Sequence, residues 1–237
     1  MEPVIIGDKL YEGKAKAVYA TGDPDVRVIK YKDSATAGNG ARKAEIAGKG
    51  ELNRRICSKI FTMLNNAGIP THFIRDLGED GQLVKKCAII PLEVIVRNVA
   101  AGSFSARFGV PEGAALSRPT LEYCYKDDAL GDPMINDYHI KALGLASDGE
   151  LAETARLSFE INELLSAYFR KAGLRLVDFK LEFGRTPDGI ALADEISPDT
   201  CRLWDMETNA KLDKDVFRRG LGDLAGAYAE VLRRISG

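Results

Sequence analysis

The sequence predicts an α+β fold, on three grounds. Alternating and β-branched runs crowd its first third. Long helical periodicities follow, mixed with further strands, without the regular strand–helix succession of a doubly wound sheet. Its 237 residues, 45% of them hydrophobic, suffice for one large domain or two small lobes sharing an interface.

Residues 9–20 read as a strand, a turn at Glu12-Gly13 and a second strand that puts Lys14 and Lys16 on one side. Those lysines suit either a loop covering phosphates or a guarded sheet edge. After the turn Thr21–Asp25, Val26–Tyr31 forms another strand, and Asp33–Gly40 reads as a loop. From Ala41 to Ala67 the apolar residues Ile46, Leu52, Ile56, Ile60, Phe61 and Leu64 recur at helical spacing, ended by Gly68-Ile69-Pro70. Thr71–Arg75 and Leu83–Ile90 are strands, and Pro91 breaks the pairing before Val94–Val99. Ser103 is placed to cap the segment Phe104–Phe108, beside Arg97, an arrangement that suits an anion as well as plain capping. Thr120–Lys126 alternates like a strand, and Asp127–Asp137 is an acidic, turn-rich loop. Asp148–Ala172 is a long amphipathic helix with Leu151, Ala155, Phe159, Ile161, Leu164, Leu165 and Tyr168 on its apolar side, stopped at Gly173. Phe217–Ile235 is largely helical, with Leu221, Leu224, Tyr228, Val231 and Leu232 apolar.

Between those helices lies the most informative stretch, Leu176–Asp205. Val177, Phe179, Leu181 and Phe183 alternate with Asp178, Lys180 and Glu182. Arg185-Thr186-Pro187-Asp188-Gly189 then turns the chain back through Ile190–Ile196, as a β-hairpin. Pairing Gly184 with Ile190 sets Lys180 opposite Asp194, with Glu182 diagonal to Asp194 on the same face. Such a face is either solvated surface or a site, and two close carboxylates favour a divalent cation such as Mg²⁺.

The net charge of −2 argues against nucleic acid as a main partner. No apolar run reaches the length of a membrane span, and Met1–Asp8 lacks the features of a signal peptide. Cys57, Cys87, Cys124 and Cys201 are scattered, as in a reduced, cytoplasmic protein, and His72 and His139 form no metal spacing.

Four pieces occur in a telling order. They are Leu10-Tyr11-Glu12-Gly13-Lys14-Ala15-Lys16, Val96-Arg97-Asn98 with Gly102-Ser103, Val177–Gly184, and Asp194-Glu195-Ile196-Ser197-Pro198-Asp199 with Arg202, Trp204 and Asp205. In this order they resemble the SAICAR synthetase (phosphoribosylaminoimidazole-succinocarboxamide synthase) family over essentially the whole chain. The resemblance implies a two-lobed, ATP-grasp-like α+β fold with ATP between the lobes. Residues 1–90 would be a nucleotide-covering lobe of mostly antiparallel sheet plus helix, and 91–237 a substrate and metal lobe. The implied reaction joins carboxyaminoimidazole ribonucleotide (CAIR) to L-aspartate through an acyl phosphate, with ATP going to ADP and phosphate.

By the same resemblance Lys14, Lys16, Lys86, Ile89, Glu93 and Lys126 would serve ATP, and Glu182 and Asp194 would hold Mg²⁺. Arg97, Ser103, Arg202 and Asp199 would bind the nucleotide substrate, while Lys180 and Asp178 would be catalytic, Asp178 orienting Lys180 or an amine. Asp132 matches a position near the metal, and Lys86–Glu93 an adenine-side linker. A homodimer is implied as well. A small-molecule kinase, or an ATP-binding module without turnover, would use the same residues; only the ligase makes ADP release depend on aspartate.

Overall fold

A computed structural model describes residues 4–37 and 42–237. The chain opens with strands β1 (Ile6–Glu12), β2 (Lys16–Thr21) and β3 (Val26–Tyr31). A small hairpin, β4 (Ser34–Ala37) and β5 (Arg42–Glu45), precedes helix α1 (Lys49–Asn66), and β6 (Phe73–Asp76) and β7 (Gln82–Lys85) follow. The five longer-range strands pair antiparallel in the order β1-β2-β3-β7-β6.

Two expectations change here. The loop expected over 33–40 and the helix expected from 41 give way to β4 and β5, with Ser34 paired to Glu45 and Ala37 to Arg42. Residues 38–41 themselves lie outside the described residues, as do residues 1–3 of the segment weighed as a leader. Helix α1 starts only at Lys49 because its own sequence supplies no cap. Gly48 has a left-handed backbone, and Asp33 reaches over from the preceding turn to accept the N–H groups of Gly48 at 3.0 Å and Gly50 at 2.8 Å.

The chain changes sheets between Lys85 and Ala88. Strands β8 (Ala88–Ile89) and β9 (Leu92–Val99), helix α2 (Gly102–Phe108), β10 (Ala115–Tyr125), β11 (Met134–Ile135), α3 (Asp137–Ala142) and α4 (Asp148–Lys171) come next. The long β12 (Leu174–Thr186), β13 (Gly189–Ala193), β14 (Cys201–Asp205), α5 (Asp215–Arg219) and α6 (Leu224–Arg234) complete the chain. The second sheet runs β11-β10-β9-β12-β13, with β8 and β14 also paired to β12. Central strand β12 therefore carries pairing partners along both edges, and its period-two pattern gives the sheet two unlike faces. Phe179, Leu181 and Phe183 join Val94 and Val96 of β9 in the main core. That core includes Leu157, Ile161, Leu165 and Phe169 of α4 and Ile56, Ile60, Phe61 and Leu64 of α1, so the two sheets share one apolar interior. The opposite face carries the charges.

Helix α4 is capped as its sequence allows. Ser147 Oγ accepts the Glu150 N–H and Glu150 returns a bond to the Ser147 N–H, a capping box; Gly173 (φ 69°) stops the helix. Its buried stripe is rotated from the expected one: Leu157 and Phe169 are fully buried, whereas Phe159 is 39% exposed. Leu221 is likewise exposed, because the C-terminal helical stretch breaks at Gly220 and Gly222 into α5 and α6. Val177 also leaves its expected face. A bulge between Leu176 and Asp178 against β14 sends Leu176 to the main core and Val177 to a small cluster with Val99, Ala101 and Trp204.

Candidate active site

The charged face of the second sheet floors a cleft of about 1020 Å³, walled on the other side by β1, β2, β3 and the turn after β1. All the residues singled out in the sequence for ATP, nucleotide, metal and catalysis line this one cleft, and Asp132 does too.

One end is built from cross-strand pairs. Asp178 lies opposite Arg97 of β9 on one side and opposite Arg202 of β14 on the other. It accepts from Arg97 Nη1 at 2.7 Å and from Arg202 Nη1 at 2.8 Å. The expectation that Asp178 orients Lys180 therefore gives way, because the two arginines across the ladder share its Oδ2 and Arg202 Nη1 also reaches its Oδ1 at 3.1 Å. Arg97 is buried and also donates to both oxygens of Glu122, at 3.0 Å each. Ser103 does not cap α2. The cap position is Ala101, and the Ser103 hydroxyl instead accepts from Arg97 Nη2 at 3.0 Å. Gly102 has a left-handed backbone (φ 53°), and a Cβ there would meet Arg202 Nη2 at 2.4 Å. Only glycine leaves the arginine its room.

The other end is a lattice of lysines and carboxylates. Lys180 donates to Glu93 at 2.7 Å and to Glu182 at 3.1 Å, and Lys126 also reaches Glu182. Lys16 contacts Asp194 and lies 2.9 Å from Glu195. Burial alone would lower the Lys16 and Lys180 ammonium groups; the surrounding carboxylates outweigh it and hold both above their usual range. Burial would likewise raise Asp194, but Lys16 and Lys180 hold its carboxyl below the ordinary range.

The hairpin register differs by one residue from the expected pairing: Gly184 faces Ala191, and Glu182 faces Ala193. Such a slip should turn Asp194 to the apolar face with Leu192. Instead the strand ends at Ala193, and Asp194 takes a left-handed backbone (φ 57°) that brings its carboxylate to Lys16.

Lys14 leaves the strand altogether. It sits in the turn before β2 and pairs with Asp128 across the cleft mouth at 2.6 Å, an exposed pair. Lys86 precedes β8 and Ile89 ends it; the Lys86 N–H is already given to the Asp25 carbonyl, so a base cannot use it. Val18, Ile29, Val84 and Ile89 make this part of the lining apolar, as the face of a base requires. Asp199 turns inward, its carboxylate held by Lys49 at 2.5 Å, Asn53 at 2.9 Å and the Tyr228 hydroxyl at 2.7 Å. Asp199 thus lines the cleft, as expected of a substrate-binding residue, with both its carboxylate oxygens already engaged by the protein.

Sequence reasoning missed Glu195, Glu122, Lys214, Asp215 and Arg218. Alternation on β10 would have flagged Glu122, and Glu195 adjoins a residue already chosen. The last three lie beyond the informative stretch and had no local signal.

Comparison with known proteins agrees along nearly the whole chain. The family model described as SAICAR synthetase matches residues 9–235. A phosphoribosylaminoimidazole-succinocarboxamide synthase of Finegoldia magna is 58% identical over 97% of this chain and 100% of its own. The crystal structure of the Ehrlichia chaffeensis synthase superposes with a TM-score of 0.95 at 46% identity, covering 97% of this chain and 98% of that one. A SAICAR synthetase solved in complex with ADP gives 0.93 at 50% identity, covering 96% and 97%.

Proposed function

This chain belongs to the SAICAR synthetase family, and from that membership we propose how its cleft works. It is an ATP-dependent carbon–nitrogen ligase of purine biosynthesis; relatives this similar over the full chain carry that name, which disfavours a kinase or a silent binding module. Its substrates are CAIR and L-aspartate, and its cofactor is ATP. One observation carries the reading: Lys16 from the wall and Lys180 from the floor of a single cleft are each held between two carboxylates, beside the buried Arg97 and the part-exposed Arg202.

A carboxylate is a poor electrophile because it would have to expel oxide. An oxygen of the CAIR carboxylate attacks the γ-phosphorus of ATP, ADP leaves, and the acyl phosphate forms. The aspartate amine then attacks the acyl carbon, the C–O bond to phosphate breaks, and inorganic phosphate and a proton are released. The chain supplies position and charge, with no nucleophilic side chain. Lys16, with Lys14 at the mouth, meets the phosphates as point charges. Lys180 receives the CAIR carboxylate, and Lys126 adds charge beside Glu182. Arg202 and Ser103 take the CAIR phosphate, with Arg97 and Asp178 holding them. The apolar wall near Ile89 and Lys86 takes the adenine, and Glu93 keeps Lys180 in place.

The donor set fits magnesium. Glu182 and Asp194 reach the cleft, and among the described residues no third acidic, histidine or cysteine ligand completes a cage. Two carboxylates plus nucleotide oxygens and waters are what Mg²⁺ accepts. Once bound, the ion would offset charge on the transferring phosphoryl group. Four free cysteines agree with a reducing cytoplasm, and no helix among the described residues is long and apolar enough to cross a membrane. A homodimer, as the family resemblance implies, is measured by gel filtration.

The mechanism is tested with CAIR labelled with ¹⁸O in its carboxylate. One labelled oxygen should appear in the inorganic phosphate. Unlabelled phosphate would exclude the acyl phosphate.

A further inference from the structure

The assignments above leave two cations of the cleft without a task. Lys214, just before α5, and Arg218 within it line the cleft with Arg202. The Lys214 side chain is 15% exposed, and its nearest carboxylate is Asp199 Oδ1 at 3.9 Å. That oxygen already accepts the Tyr228 hydroxyl at 2.7 Å, and its partner oxygen takes Lys49 at 2.5 Å. Lys214 therefore has no hydrogen-bonded acceptor from its Nζ among the described residues. The contrast with Lys16 and Lys180, each in contact with two carboxylates, is sharp. Burial pushes the Lys214 ammonium down; Asp199 opposes this, while Lys49 and Arg218 add to it. A largely hidden ammonium without a hydrogen-bonded partner costs folding free energy that Asp199 at 3.9 Å offsets only in part, and such a group persists where a ligand completes it.

Arg218 donates Nη1 to Asp215 Oδ1 at 2.8 Å, and among the described residues its other N–H groups make no hydrogen bond. The second oxygen of Asp215 takes Arg202 Nε at 3.0 Å. Asp215 thus sets the Lys214–Arg218 pair directly beside the arginine assigned to CAIR. An amino acid that gives its amine to the new bond must be recognised through its acid groups. Two carboxylates call for two cations next to the nucleotide.

We propose that Lys214 and Arg218 bind the two carboxylates of aspartate and that Lys214 selects a dicarboxylic amine over a monocarboxylic one. This rests on the ligase reading. Arg202 and Ser103 remain for the CAIR phosphate, and Lys180 for its carboxylate.

Steady-state kinetics of Lys214→Met and Lys214→Arg, varying each substrate in turn, tests the proposal. Loss of a charge-assisted contact should raise KM for aspartate by about 10- to 100-fold in the Met variant. KM for ATP and CAIR should hold, the preference for aspartate over alanine should shrink, and the Arg variant should recover most of the loss. The Met variant should melt no lower than the parent, since a largely desolvated charge with no hydrogen-bonded acceptor has gone. A rise in KM for CAIR with aspartate unaffected would reassign the pair to the nucleotide and overturn the proposal. So would unchanged KM values with a lowered melting temperature. If the parent makes no product from aspartate, the ligase reading fails instead. Calorimetric binding of aspartate to the ADP-saturated parent and Met variant then decides: loss only in the variant upholds the site, and equal binding, or none to the parent, overturns it.

Discussion

Asp194 shows how much one backbone angle decides. Its left-handed conformation undoes the face that the hairpin register would impose. Asparagine tolerates that conformation and alanine does not, so two substitutions separate charge from shape. Asp194→Asn should lower kcat by about 10²- to 10³-fold, as loss of a preorganised charge does, with the urea midpoint little changed. Asp194→Ala should lose activity and also about 1–2 kcal/mol of stability from backbone strain. Full activity in the Asn variant would refute the role. His72 lies against the same residue. It is 3% exposed, packs edge-on to Phe61 at 5.4 Å, and its Nε2 has no partner among the described residues. Burial pushes its pKa from 6.5 to about 4; Asp194 opposes the shift and Lys16 adds to it. The unfolded chain therefore binds a proton at higher pH than the folded one. His72 contributes its full share of stability above pH 6.5 and loses it as the pH falls toward 4. The loss is about 1.4 kcal/mol per pH unit within that window. Urea midpoints of His72→Met should accordingly fall less between about pH 7.5 and pH 5 than those of the parent; parallel curves would exclude the linkage.

At the scale of elements, α4 is the simplest case. Its capping box predicts that Ser147→Ala costs about 1 kcal/mol, read as a lower urea midpoint, with kcat unaltered because Ser147 stands apart from the cleft lining. The start of α2 is more demanding. Gly102→Ala must drive its Cβ into the Arg202 guanidinium, which Asp178 and Asp215 hold from two sides. KM for CAIR should rise well above that for ATP, and an unaffected KM for CAIR would remove Arg202 from the phosphate site. Legibility follows the same physics. The long elements were readable because periodicity accumulates: β12 announced its two faces by alternation, and α4 its length and its stop at Gly173. The short ones were not. Strands β4 and β5 carry only small apolar residues, and they exist through pairing with each other, burial of Ala35 against Val216, Phe217 and Tyr228, and packing of Arg42 on Phe217, which no local pattern encodes. The site residues on β12 stood out because charges alternated with core residues. Lys214 and Arg218 looked like ordinary surface charges, since only the tertiary fold brings them beside Arg202. The register was illegible because one residue in a turn changes it without altering composition.

At the scale of the molecule, the two sheets meet across charge. Lys16 belongs to the first sheet, while Asp194 and Glu195 follow the last hairpin strand of the second; Lys14 reaches Asp128 across the mouth. These ties close the cleft when lysines and carboxylates have only one another. On the proposed assignment, a nucleoside diphosphate arriving there would compete for the lysines and expose Glu182 and Asp194 to added negative charge. A divalent cation would relieve that repulsion, so nucleotide and ion should bind with positive coupling. Thermal unfolding measures it. ADP with Mg²⁺ should raise the melting temperature, by linkage equivalent to about 2.7 kcal/mol at a hundredfold excess over Kd. ADP with a chelator should do much less, and Mg²⁺ alone almost nothing, because the carboxylates are already matched by lysines. In Glu182→Gln the advantage of adding Mg²⁺ to ADP should shrink, whereas in Ser147→Ala it should persist on a lower baseline. Equal stabilisation by ADP with and without the ion would mean that the lysines alone carry the phosphates, and would remove Glu182 and Asp194 from the metal.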